Sequence, residues 1–186
     1  MNTHLCIFDL DGTLIDSQVD LANSVNATRA WAGLDPLPMA QVASYVGNGA
    51  PMLVRRALPD ADDQLLEEGL KFFLAYYKAH MLDETTLYPG VREALDEMHA
   101  AKVKLAILTN KPVKFSVQLI DGLGLGGHFF RIYGGNSFEE KKPHPIGIEK
   151  LRDESGIDAA RTVMVGDSSV DVLTARNAGV QACGVS

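Results

Sequence analysis

Apolar residues fall along this chain in two rhythms that alternate, and the alternation defines the fold class. His4 to Leu10 (HLCIFDL) is a short apolar run that turns acidic only towards its carboxyl end, which predicts a buried strand. Comparable runs are Val103 to Leu108, Arg131 to Tyr133, Thr162 to Val165 and Gln181 to Val185. Helical repeats lie between them. Val91, Ala94, Leu95 and Met98 recur behind Pro89, and further helices are predicted over Pro112 to Leu123, Ile146 to Ser155 and Val170 to Ala178. The last three end near Gly124, Gly156 and Gly179, each suited to a left-handed cap. Strands and helices in this order predict right-handed crossovers and an α/β fold built on a doubly wound parallel sheet.

Residues 16–87 interrupt the alternation, because they carry only helical patterns. Asp16 or Ser17 can cap a first helix that presents Leu21, Ala22 and Val25 on one face and ends near Gly33. Shorter helices are predicted over Met39 to Val46 and Pro51 to Leu58. In a longer one, Leu66, Leu70, Phe73, Tyr77 and Met81 fall at successive helical turns. The expected organisation is therefore a core domain made of residues 1–15 and 88–186, with an α-helical insert over 16–87.

Composition narrows the class without changing the fold. With 46% hydrophobic and 22% charged side chains in 186 residues, the chain is neither disordered nor fibrous. The formal net charge is −7 and no acidic tail carries it, which argues against a nucleic-acid partner. No apolar run approaches the roughly 20 residues needed to cross a bilayer, and Met1 to Leu14 has no basic leader, so a cytoplasmic protein without membrane contact is expected. Cys6 and Cys183 sit in apolar strand-like runs without metal-ligand spacing and read as buried, reduced thiols.

The polar residues at the predicted strand ends carry the chemistry, because open α/β sheets bind ligands beyond the carboxyl ends of their strands. The first strand runs into Asp9-Leu10-Asp11-Gly12-Thr13. Residues two apart on an extended chain share a face, so Asp9 and Asp11 can line one pocket while Gly12 lets the backbone turn away. Two carboxylates in one pocket repel, and a divalent cation or a shared proton relieves this. Thr109-Asn110-Lys111 ends the second strand just before a helix, where a hydroxyl and backbone N–H groups suit a phosphate, although Thr and Asn are also ordinary helix caps. Lys142, in Lys141-Lys142-Pro143-His144-Pro145, can offset the acids or be a solvated lysine; His144 reads as a loop side chain. In Gly166-Asp167-Ser168-Ser169-Val170-Asp171, Asp167 leaves a strand and Asp171 follows four residues later, either as partners in the same site or as helix caps.

These four segments together resemble the motifs of the haloacid dehalogenase superfamily of phosphohydrolases: Asp9, Asp11, Gly12 and Thr13 in the first, Thr109 in the second, Lys142 in the third, and Gly166, Asp167 and Asp171 in the fourth. All occur in the family's order and span nearly the whole chain. The resemblance implies a Rossmann-like core in which Asp9 attacks phosphorus and Asp11 serves as acid and then base. It implies Mg²⁺ held by Asp9, the backbone carbonyl of Asp11 and Asp167, with Asp171 close by or acting through water. Thr109 and Asn110 would bind phosphoryl oxygens, and Lys142 would neutralise charge and orient Asp9. The second acid, Asp11, points to phosphoryl transfer rather than dehalogenation.

The insert resembles the family's small α-helical cap, and its segment Tyr45-Val46-Gly47-Asn48-Gly49-Ala50-Pro51 with Leu53, Arg55 and Arg56 resembles that of bacterial phosphoglycolate phosphatases. On this resemblance Gly47 and Gly49 let the loop approach the ligand closely, Gly47 and Asn48 bind the substrate and Arg55 pairs with its carboxylate, Arg56 being the alternate; an exposed helical arginine is the competing reading. The expected activity is hydrolysis of a small phosphorylated acid, 2-phosphoglycolate foremost, by a monomer or homodimer. A pyrophosphatase or a sugar-phosphate phosphatase or mutase shares the four motifs. From other classes, a phospho-acceptor module also gathers acids, a Thr and a Lys at strand ends, and a non-catalytic scaffold can retain the fold. Against the family pattern the chain stops early, at Ser186, so the core domain is expected to be C-terminally short with a thinly covered edge near Val180 to Val185.

Overall fold

A computed structural model describes residues 3–185; Met1, Asn2 and Ser186, at the limits of the expected core domain, lie outside the described residues. The chain divides into two compact units, one formed by Met1–Ile15 with Leu87–Ser186 and the other by Asp16–Thr86. In chain order, the elements begin with β1 (Leu5–Phe8), β2 (Ile15–Asp16), α1 (Gln18–Trp31), α2 (Met39–Ala43), α3 (Ala50–Ala57) and α4 (Asp63–His80). There follow β3 (Thr86–Leu87), α5 (Val91–Ala100), β4 (Lys104–Leu108), α6 (Val113–Gly122) and β5 (Arg131–Tyr133). The chain continues with α7 (Ile146–Ser155), a 3₁₀ turn over Ala159–Arg161, β6 (Thr162–Gly166), α8 (Ser169–Asn177) and β7 (Gln181–Gly184).

The first unit is a five-stranded sheet in the order β5-β4-β1-β6-β7, with every pairing parallel. This is the α/β doubly wound architecture the alternation predicts. The central strand β1 is buried along its whole length, which explains its unbroken apolar run. Leu5 and Ile7 pack with Ala106, Leu108 and Met164 beneath Ile148, Leu151 and Ala175 of α7 and α8. Phe8 lies opposite Ile107 on one side and Val165 on the other, so the residues that leave β1, β4 and β6 emerge at nearly one level. The chain winds outward through β4 and β5 on one side of β1, then through β6 and β7 on the other. That reversal, between β1 and β6, opens the crevice in which such sheets bind ligands.

Gly156 and Gly179 take the left-handed conformation that ends α7 and α8, at φ of 72° and 65°. The expectation for Cys183 is corrected: Cys6 is buried, but Cys183 and all of β7 are exposed. An apolar run at a sheet edge has a paired neighbour on one side only, so hydrophobic pattern does not imply burial there. Burial pushes the Cys6 thiol up to about 11.

In the second unit, Phe73, Tyr77 and Met81 are buried along one stripe of α4 and its continuation, as their spacing predicts. Trp31 of α1 stacks on Phe72 with ring centroids 5.5 Å apart. Asp62 caps α4 by accepting from the Leu65 N–H at 2.8 Å. Ser17 stands at the N-cap of α1 without a side-chain capping bond, while Asp16 accepts from Gln18 N at 3.2 Å. Helix α2 stops at Ala43, short of the expected Val46, because the chain tightens into i→i+3 bonds from Tyr45 to Val42 and from Val46 to Ala43. Asp20 is buried within this unit and accepts from Thr85 N (2.9 Å), Thr85 Oγ1 (2.7 Å) and Glu84 N (3.1 Å). Among the described residues no helix is long and apolar enough to cross a membrane.

Gly134 and Gly135, directly after β5, lie against the backbone that follows β4. A Cβ on Gly134 would meet Val113 N at 2.3 Å and the Lys111 carbonyl at 2.5 Å. Backbone cannot move aside as a side-chain tip can. Gly134→Ala is expected to lower stability by about 2 kcal/mol or more. Gly127→Ala, where nothing lies within 4 Å of an added Cβ, should change it by less than about 0.5 kcal/mol. Denaturant titration of the two variants checks the difference.

Candidate active site

The site begins with a buried ammonium. Lys142, on the loop before α7, is 4% exposed and lies 2.9 Å from Asp9 and 2.6 Å from Asp171. Asp9 leaves β1 at the crevice and also accepts from the Leu10 N–H at 2.7 Å. Asp171, in the first turn of α8, accepts from both the backbone N–H and the hydroxyl of Ser168. It therefore serves as helix cap and as site residue at once, two roles that its spacing alone left as alternatives.

Burial pushes the Asp9 carboxyl up, Lys142 pulls it back and Asp171 raises it again, leaving it at about 6 against an ordinary 3.8. Burial works against the Lys142 charge, but Asp9 and Asp171 outweigh it and hold the ammonium above its ordinary value. The lysine therefore stays charged at neutral pH.

Carboxylate oxygens of Asp9, Asp167 and Asp171 lie within 4.8 Å of one another. Asp167 is the exposed member and is held by the Thr13 hydroxyl at 2.9 Å. Gly12 makes this approach possible, since its φ is +82° and a Cβ there would meet Asp167 Oδ2 at 2.5 Å. Gly166 plays the same part for Asp171, whose Cγ would lie 2.3 Å from an added Cβ. This all-oxygen donor set suits a hard divalent cation rather than zinc. Asp171 has one oxygen on Lys142 and the other on Ser168, so Asp9 and Asp167 are the better direct ligands.

Asp11 does not join this group through its side chain. Its carboxylate receives the Lys111 ammonium at 2.8 and 3.0 Å, with side chains only 14% and 5% exposed. Sequence reasoning passed over Lys111, although a lysine leaving a buried strand next to a pair of acids was a usable signal. Thr109 and Asn110 are both buried at the end of β4. Pro112, not either of them, occupies the N-cap of α6; Thr109 Oγ1 accepts from Lys111 N at 3.2 Å, and Asn110 Nδ2 donates to the Lys142 carbonyl at 3.2 Å. His144 is an exposed loop residue whose ring accepts from Ile146 N.

Within the helical unit, Gly47 is at φ 108° and Gly49, the N-cap of α3, at 85°. Arg56 donates to the Tyr45 carbonyl and to Asn48 Oδ1, each at 2.9 Å, so it holds the loop over 45–48 in shape. Arg55 is exposed, with a 3.9 Å approach to a still more exposed Asp63 that counts for little in water.

A strand-end site of acids and lysines, on a doubly wound sheet interrupted by a helical unit after its first strand, defines a class of hydrolases. The family model for haloacid dehalogenase-like hydrolases matches residues 6–185, and the chain belongs to that family. It is 44% identical over 183 residues to a phosphoglycolate phosphatase from Chromobacterium violaceum, covering 96% of this chain and 82% of that protein. Similarity to the phosphoglycolate phosphatase of Pseudomonas fluorescens Pf0-1 is 43% over 189 residues, covering 98% and 69%. Among solved structures, a predicted phosphoglycolate phosphatase from Haemophilus somnus 129PT superposes with a TM-score of 0.95 at 32% identity, covering 99% of this chain and 85% of that one.

The raised Asp9 value has a consequence for stability. Because the folded value of about 6 exceeds the unfolded one, this group favours folding fully below the unfolded value and loses that contribution as pH rises through 6. Asp9→Asn cannot ionise. With a chelator present, its stability relative to the wild type should rise between pH 4 and pH 7, by up to about 3 kcal/mol. Melts of both proteins across that range check the sign.

Proposed function

We propose that this protein is a Mg²⁺-dependent phosphatase that hydrolyses a small phosphorylated acid, 2-phosphoglycolate foremost, through an aspartyl-phosphate on Asp9. The observation that carries the reading is the placement of Asp9 at the switch point of the sheet, tied to Lys142 and grouped with Asp167 and Asp171. The names of the relatives support the choice of substrate.

In this reading an oxygen of Asp9 attacks phosphorus as the bond to the leaving oxygen breaks, and Asp11 gives that oxygen its proton. Asp11, now a carboxylate, takes a proton from water; the resulting hydroxide attacks the phosphorus, and Asp9 departs as a carboxylate. Lys142 holds Asp9 in place, while Thr109 and Asn110 bind phosphoryl oxygens. Asp9 and Asp167, supported by Asp171, would hold Mg²⁺ together with the Asp11 backbone carbonyl. When bound, the ion offsets the negative charge of the attacking carboxylate and of the phosphoryl oxygens. Three carboxylates, Asp9, Asp167 and Asp171, facing the one Lys142 ammonium leave an excess of negative charge that a divalent cation offsets. Arg55 of α3, with Gly47 and Asn48 of the loop that precedes this helix, is assigned to the carboxylate end of the substrate.

Asp9→Asn is expected to abolish turnover while the protein still folds; substantial activity in that variant removes the nucleophile assignment. A kcat/KM panel of 2-phosphoglycolate, hexose phosphates, pyrophosphate and nucleotides should favour the carboxylated substrate. For that substrate Arg55→Ala should raise KM about tenfold with little change in kcat. Preference for a substrate without a carboxylate counts against the assignment of Arg55.

A further inference from the structure

The two lysines of the site are divided between different carboxylates. Lys142 is engaged by Asp9 and Asp171, and Lys111 by Asp11. We infer that Lys111 is a positioning residue for Asp11, fixing its carboxylate at the strand-end edge and keeping it out of the group formed by Asp9, Asp167 and Asp171. This inference rests on the phosphatase reading above.

Three observations carry it. The contact uses both carboxylate oxygens, at 2.8 and 3.0 Å, which restrains rotation about the side chain as a single bond does not. Both side chains are largely withdrawn from water, so solvent and salt screen the contact only weakly. The backbone of Lys111 is itself anchored: its N–H donates to Thr109 Oγ1 at 3.2 Å, and its carbonyl accepts from Gly135 N at 2.9 Å. Gly134 packs on the same stretch with no room for a side chain. The backbone around Asp11 is fixed as well, by Gly12 N on the Ile15 carbonyl at 3.0 Å and Leu14 N on the Leu10 carbonyl at 2.9 Å. With both backbones held, the lysine ammonium sets the direction of the Asp11 carboxylate.

A lysine that worked on the phosphoryl group directly would act whether or not Asp11 were present. A lysine that works through Asp11 would not. The test is a double-mutant cycle on Lys111→Met and Asp11→Asn, with p-nitrophenyl phosphate and Mg²⁺, so that a good leaving group keeps the weaker variants measurable. Lys111→Met is expected to lower kcat about 10- to 100-fold with KM within about threefold, and to lower the Asp11→Asn enzyme by less than about threefold. Equal losses in both backgrounds, or a loss expressed mainly in KM, overturn the inference. Lys111→Gln is carried through the same cycle, with melting curves for each variant, so that a misfolded Met variant leaves the Gln variant to decide. Wild-type protein that hydrolyses no phosphate ester overturns the phosphatase reading and this inference with it; active wild type with multiplicative losses overturns the inference alone.

Discussion

An ammonium buried between two buried carboxylates governs the architecture of the core unit. Any of the three charges left alone at that depth would cost several kcal/mol, so each demands the others in place. Asp9 comes from the end of β1, Lys142 from the loop before α7 and Asp171 from the first turn of α8. Their mutual dependence therefore fastens three separate stretches of chain at the open end of the sheet. Hydrophobic packing beneath β1 holds the strands, but it is non-directional and does not decide which polar groups meet.

The close approaches around this triad follow from the same demand. Gly12 and Gly166 stand where a single added carbon would collide with Asp167 or Asp171. Thr13 and Ser168 supply hydroxyls to those acids, so little of their hydrogen-bonding capacity is left to chance. The short motif after β1 thus contains a nucleophile candidate, an acid, a space-making glycine and a supporting hydroxyl in five consecutive residues. Its compactness reflects how little room remains at a strand end.

Much of this was legible in the sequence because strand ends in a parallel sheet are marked twice, by the end of an apolar run and by the polar residue that follows. Asp9, Thr109 and Asp167 are all found that way. What escaped lies where the marks fail. The ribbon of β2 and β3 is two residues per strand, too short to show a period. The exposure of Cys183 depends on its strand being outermost, which is a property of strand order and not of local pattern. Arg56 looked interchangeable with its neighbour until its bonds to Tyr45 and Asn48 showed that it shapes a loop. Lys111 stands at a strand end, but its partner is one hundred residues away in sequence, so nothing local says which acid it meets.

The Asp20 carboxylate, accepting from Glu84 and Thr85, closes the helical unit on itself by joining its first helix to the segment that precedes its exit. A unit whose entrance and exit are held together by its own bonds imposes little on its host beyond a short gap between the two points of attachment. Such a unit can be exchanged, lengthened or recombined in evolution while the strands on either side of it keep their register. Under the proposed function, in which Arg55 of that unit takes the carboxylate of the substrate, ligand choice and phosphoryl chemistry are separable traits, written in different parts of the chain and open to change one at a time.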